Sequence, residues 1–158
     1  MARRAVAYTS DVILGRTGEV VARAAQREAI SRHAAENDIE IVGWFEDEAY
    51  QADVLGREGI RRLLECLRPG DTVLVERVWS LSRRWPVLEP FLLELQRRGA
   101  RLESARLLWD CISQRARHFG TERKPAQAWA EEAVPAAAAS AIGKPDHLFF
   151  ADLMHRHA

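Results

Sequence analysis

The feature that most constrains this chain is an alternation of two hydrophobic periods. Short apolar runs at "RRAVAYT" (3–9), "IEIVGWFED" (39–47), "DTVLVERV" (71–78) and "ARLES" (100–104) read as strands. Helical spacing fills the intervals, over 18–38, 57–70 and 85–99. In the first interval Val21, Ala24, Ala25, Ala29 and Ile30 fall on one face. In the second, Ile60, Leu63, Leu64 and Leu67 do so before Pro69-Gly70 stops the helix, and Gly99 closes the third. Strands separated by crossover helices of this length must pair in parallel, and a parallel sheet needs cover on both sides. The predicted fold class is therefore α/β, a mainly parallel sheet with helices on both faces.

Past residue 104 the pattern weakens. "ARLLWDCISQRARHF" (105–119) has Leu107, Leu108, Cys111 and Ile112 on one helical stripe, which would extend the domain over 1–119. Residues 120–158 are rich in Ala and broken by Pro125, Pro135 and Pro145, and read as a linker or a tail of short helices and irregular chain. No helix-turn-helix pattern and no CxxC pair marks a DNA-binding module there. Asp146, His147, Asp152, His155 and His157 are of metal-ligating types but lack the spacing of a site, so neither metal nor cofactor is expected.

Composition adds bounds. Net charge is zero, so the chain as a whole does not advertise a polyanion partner. Of its 23 basic residues only Lys124 and Lys144 are lysine, a bias that GC-rich coding explains as well as phosphate recognition does. Cys66 and Cys111 lie in apolar helical contexts and read as reduced thiols. No apolar run approaches the roughly 18 residues that cross a bilayer, and no apolar stretch of signal-peptide kind follows "MARRAVAY". A cytoplasmic protein without a membrane partner is expected. "GRTG" (15–18) and "GREG" (56–59) are too short and wrongly placed for nucleotide-binding loops.

Several local spellings, in order, resemble the catalytic domain of the serine recombinases, the resolvase and invertase family. That family has a first strand ending Y-x-R-V-S, a helix carrying Gln, a loop Arg opening a second helix, then G-D-x-(V/I)-(V/L)-V running into D-R-(L)-x-R. Here Tyr8 stands for the tyrosine, Gln26 for the helix Gln and Asp47 for the acid after the second strand. "REGIRRLL" (57–64), "GDTVLVERV" (70–78), "SLSRR" (80–84) and "LELQRRGARLES" (93–104) follow in register. The resemblance covers roughly residues 4–104 and implies a resolvase-like α/β domain, site-specific DNA recombination as the activity and DNA as the partner. It also implies a dimer through the helix at 105–119, as a homodimer or as a heterodimer with an active recombinase.

The same ungapped comparison places Val12 on the nucleophilic serine, Ser10 on the neighbouring arginine, Trp79 on the later aspartate and Ser80 on the arginine after it. Arg57 and Arg83 are the arginines retained. The reaction needs a hydroxyl to attack a phosphodiester and guanidiniums already aimed at the charge that develops on the phosphate oxygens. Each missing donor costs about 3–4 kcal/mol of transition-state stabilisation, so two missing arginines alone cost roughly 10⁴-fold. Valine offers no lone pair at all. The resemblance thus implies a recombinase-like protein that does not cut DNA and acts through dimerisation or weak DNA contact.

Two rivals remain open. Ser10 replaces the lost nucleophile if the chain folds back after the first strand, since two strand residues span about 6.6 Å and a reacting group must come within about 3–3.5 Å of its target. Otherwise Ser10 is a strand-end hydroxyl bonded to nearby backbone. The other rival is an unrelated flavodoxin-like signalling or nucleotide-binding domain, with Asp11, Glu46, Asp47 and Glu48 as its only hint. Arg57 and Arg83 have a plain alternative as well: solvent exposure or, for Arg57, a pair with Glu58 or Asp53. Trp79 reads as core filling ahead of a base-stacking platform.

Overall fold

A computed structural model describes residues 2–14, 17–48 and 53–120. The chain divides into two compact units, Met1–Leu107 and Leu108–Ala158. The first is built on strands β1 (Arg3–Ser10), β4 (Ile39–Asp47), β5 (Thr72–Val75) and β6 (Arg101–Ser104), all parallel, in the order β4-β1-β5-β6. A two-residue antiparallel ribbon, β2 (Val12–Ile13) with β3 (Val20–Val21), leaves the top of β1. Helices α1 (Arg23–Glu36), α2 (Glu58–Cys66) and α3 (Trp85–Arg97) make the crossovers, so the α/β fold with helix-covered faces holds.

The period-two alternation of β1 divides the core. Ala5 and Ala7 meet Ile30 and Ala34 of α1 together with Leu74 and Ile39. The small alanines let α1 lie close across the sheet. Tyr8 points to the opposite side, where α2 seats Ile60, Leu63 and Leu64, all buried. Each of these aliphatic side chains contributes about 1.5–3 kcal/mol on burial.

Element boundaries differ from the sequence expectation where tertiary partners decide. The helix expected over 18–38 starts at Arg23, because Val20 and Val21 pair with Val12 and Ile13 instead. Its inward face is Gln26, Ile30 and Ala34, at spacing i, i+4, i+8. Ala24 and Ala25 are exposed, and Val21 and Ala29 half-buried. The helix expected over 57–70 ends at Cys66. The run 71–78 is a strand only to Val75, where the ladder with β1 ends at the pair Tyr8–Val75; a 3₁₀ turn, Val78–Ser80, follows.

In the second unit the described residues hold one helix, α4 (Cys111–His118). The helix expected over 105–119 is therefore eight residues long. Asp110 sets its start, accepting from the Ser113 amide and hydroxyl at 2.9 Å each, an N-cap that ends any helical run from upstream. The tail expected beyond residue 120, and the metal-type residues within it, lie outside the described residues. Among the described residues no helix is long and apolar enough to cross a membrane.

Candidate active site

The site lies at the carboxyl ends of β1, β4 and β5, where open α/β sheets keep their ligands. Gln26 fixes the end of β1. Its Nε2 donates to the carbonyls of Ser10 (2.6 Å) and Val21 (2.9 Å), and its Oε1 accepts from the Ser10 amide (3.4 Å). One buried amide thus holds the strand end, the ribbon and α1 in register, and satisfies backbone groups that the sheet leaves unpaired.

Ser10 is wholly buried, and its hydroxyl donates to the Ser80 carbonyl at 2.6 Å. Arg57, expected at a solvated helix start or facing phosphate, is also wholly buried. Its Nη1 donates to the same Ser80 carbonyl (3.0 Å) and to the Tyr8 hydroxyl (3.2 Å), while Nη2 donates to the Leu81 carbonyl (2.6 Å). The plain reading of Arg57 as a surface residue is corrected by this geometry. A planar fork reaches two carbonyls and a phenol at once, which a lysine ammonium on a flexible stem does not.

The network continues through Tyr8, whose hydroxyl donates to Asp47 Oδ2 at 2.7 Å; Asp47 Oδ1 accepts from the Gly59 amide at 2.9 Å, at the start of α2. A carboxylate there also meets the positive end of the helix dipole. Burial pushes the Tyr8 phenol well above its ordinary range, with Asp47 adding to the rise and Arg57 opposing it. Tyr8 is therefore a neutral hydrogen-bonding hinge between Asp47 and Arg57. Gly59 is required by space: a Cβ would stand 2.5 Å from the Glu46 carbonyl and 2.6 Å from Asp47 Oδ2.

The other strand-end carboxylates are also engaged. Arg23 pairs with Asp11 (3.4 Å) and Glu46 (3.1 Å), and Glu76 is buried against Arg77 at 2.6 Å. A polar cleft of about 410 Å³ opens beside Glu46, Glu48, Glu58 and Arg62. Among the described residues no cluster of three or more His, Cys, Asp or Glu is arranged to hold a metal ion.

Val12, Trp79 and Arg83, which the sequence resemblance aligned with motif positions of the family, lie at one place in the fold. With Asp11, Ile13 and Arg84 they line a cleft of about 330 Å³. Val12 is 3% exposed, Ile13 is 59% exposed, and Arg83 and Arg84 are exposed at the rim. The Arg83 guanidinium lies 3.9 Å from the centroid of the Trp79 ring, a cation–π stack. Trp79 is half-buried at this cleft, where the sequence reading made it core filling. Of the predicted site residues, Arg83 is thus at the cleft, whereas Ser10 and Arg57 are bonded into the protein beneath it. Sequence reasoning missed the ribbon residue Ile13 and the part played by Ser80 and Leu81, whose backbone carbonyls leave no side-chain signal.

The Resolvase, N-terminal domain family matches residues 18–119. The matched stretch begins after β1, so it assigns no family position to Ser10 or Val12. No curated protein matches the sequence. Among solved structures, the C-terminal catalytic domain of ISC1926 TnpA, described as an IS607-like serine recombinase, is similar at 20% identity and TM-score 0.52, over 65% of this chain and 70% of that one. The N-terminal catalytic domain of TP901-1 integrase is similar at 20% identity and TM-score 0.56, over 82% of this chain and 98% of that one. At such identity these two likenesses speak for the fold alone. An unrelated flavodoxin-like domain is thereby set aside, and the chain belongs to the resolvase N-terminal domain family, the catalytic domain of the serine recombinases.

Proposed function

We propose that this domain binds DNA as a recombinase scaffold and does not cleave it. The observation that carries the reading is the state of the β1 end. In support of the reading, the sequence resemblance aligns Val12 with the nucleophile, and the nearest upstream hydroxyl, Ser10, is buried with its proton given to the Ser80 carbonyl. A nucleophile must reach phosphorus and lose its proton to a base; Ser10 has neither an open path nor a side-chain base beside it among its described hydrogen bonds. Arg57 spends its donors on Tyr8, Ser80 and Leu81, which leaves Arg83 at the cleft as the arginine of the original pair able to meet a phosphate. The reading includes assembly with a second copy or with an active recombinase, which the family resemblance supports.

The test is a suicide substrate. The protein is mixed with nicked duplex DNA at low salt, where weak phosphate contacts persist, and covalent adducts are sought on a denaturing gel beside Ser10→Ala. The expected result is a mobility shift on a native gel and no covalent adduct. An adduct that disappears in Ser10→Ala would overturn the reading and make Ser10 the nucleophile. Light scattering of the same sample, alone and mixed with an active family member, measures the assembly.

A further inference from the structure

We infer that the Trp79–Arg83 cleft is a stacking site for an unpaired DNA base, so that the domain prefers single-stranded over duplex DNA; this rests on the DNA-binding reading above. Three observations converge on it. First, Trp79 is poorly explained as filling. It is half-buried, and its indole Nε1 has no hydrogen-bond partner among the described residues, a cost that leucine or phenylalanine would avoid. What tryptophan offers there is its ring face.

Second, that face already carries a planar cation. Arg83 stacks on it at 3.9 Å and is itself exposed, so the pair presents a layered π surface at the cleft. Bases stack both on aromatic rings and on guanidinium planes, and do so with little regard for sequence. Third, the remaining walls suit a base with its phosphate. Val12 and Ile13 are apolar, and Ile13 is kept exposed by the ribbon. Asp11 already has Arg23 as partner, at 3.4 Å. Arg83 and Arg84 have no ion pair among the described residues, in contrast to Arg23, Arg62 and Arg77, which hold carboxylates.

The cleft, about 330 Å³, falls at the lower end of the range of small-ligand sites, roughly 300–1,000 Å³. It admits one planar group. A base within a duplex is stacked on both sides and presents only its edge, so the site is filled only by a base that has left the stack or never had one. Tryptophan at the position that the sequence resemblance aligns with a motif aspartate thereby supplies a base-holding surface.

Fluorescence anisotropy of the full chain tests this. The probes are a labelled single-stranded DNA of about 12 nucleotides, within the span such sites cover, and the duplex of the same sequence, both at low salt. The expected result is about 10-fold tighter binding of the single strand. Trp79→Ala should erase the preference, and so should Arg83→Lys, which keeps the charge and loses the plane. Ile13→Ala, at an exposed position, should weaken the single strand alone and supplies the answer if Trp79→Ala fails to fold. Equal binding of the two DNAs, or a preference unmoved by Arg83→Lys and Ile13→Ala, overturns the base site while DNA binding stands. Binding of neither DNA overturns both.

Discussion

Ser10 and Arg57 converge on one atom, the Ser80 carbonyl oxygen, from 2.6 and 3.0 Å. The hydroxyl comes from the end of β1 and the guanidinium from the residue before α2. Together they fix the turn that carries Trp79 and leads to Arg83. Both groups hold a loop in place here.

Ser10→Ala tests the hydroxyl half of this arrangement. Arg57 still satisfies the Ser80 carbonyl, so the loss is one buried hydrogen bond, about 1 kcal/mol. Urea denaturation should show a lower midpoint with an unchanged slope, and DNA affinity should not move.

Arg57→Met removes the other half and is expected to cost more. It leaves the Leu81 carbonyl without its 2.6 Å donor and Tyr8 without a neighbour that opposes its raised pKa. A loss of about 2–3 kcal/mol is expected, the cost of leaving buried polar groups without their donor. Arg57→Lys should recover little of it, because an ammonium does not span both carbonyls. Denaturant melts of the two variants decide this. A surface arginine would instead give losses within about 0.5 kcal/mol.

Thr9→Val should stabilise. Thr9 is buried and its hydroxyl has no hydrogen-bond partner among the described residues. Valine has the same shape and buries no polar atom, so a gain of about 1 kcal/mol is expected in the same denaturant experiment. A loss would reveal a partner for the hydroxyl.

Acid should loosen the far side of the sheet through Glu103. Burial pushes its pKa up, but hydrogen bonds from Arg3 and His33 outweigh burial and hold the carboxyl below its ordinary value. A carboxyl depressed in the folded state binds fewer protons there than in the unfolded chain. Its contribution is therefore complete above the ordinary glutamate range and fades as pH falls through and below it. Thermal melts between about pH 3 and pH 7 should show Glu103→Gln losing the part of the acid sensitivity that this group supplies.

The parallel sheet was legible because its strands and crossover helices keep distinct periods over long stretches. β1 and β4 follow their apolar patterns almost to the residue, and α2 starts within one residue of its pattern but stops at Cys66, short of the expected end. The ribbon was not legible. Val12, Ile13, Val20 and Val21 are too few on each side for a strand pattern, and Val20 and Val21 also suit the first turn of a helix. Gln26 stood out only through the family resemblance, since a polar residue on an otherwise apolar helical face carries no signal of the strand end it will bind. Arg57 was least legible of all. Arginine is almost never wholly buried unless its donors are met, and those met here are largely backbone carbonyls some two dozen residues downstream, which no spacing rule marks.

The strand order carries a consequence for how the chain is made. β1 lies in the middle of the sheet, yet it leaves the ribosome first. Its neighbours, β4 at 39–47 and β5 at 72–75, are synthesised much later. Until Val75 has emerged, the apolar run "AVAY" has an open edge on at least one side, a template for pairing with another nascent chain. The Ser10 and Arg57 bonds wait longer still, for Ser80 and Leu81. β5 is thus the segment whose arrival closes the sheet's first-born strand, and the turn that bears Trp79, coming directly after it, completes the bonds at that strand's end.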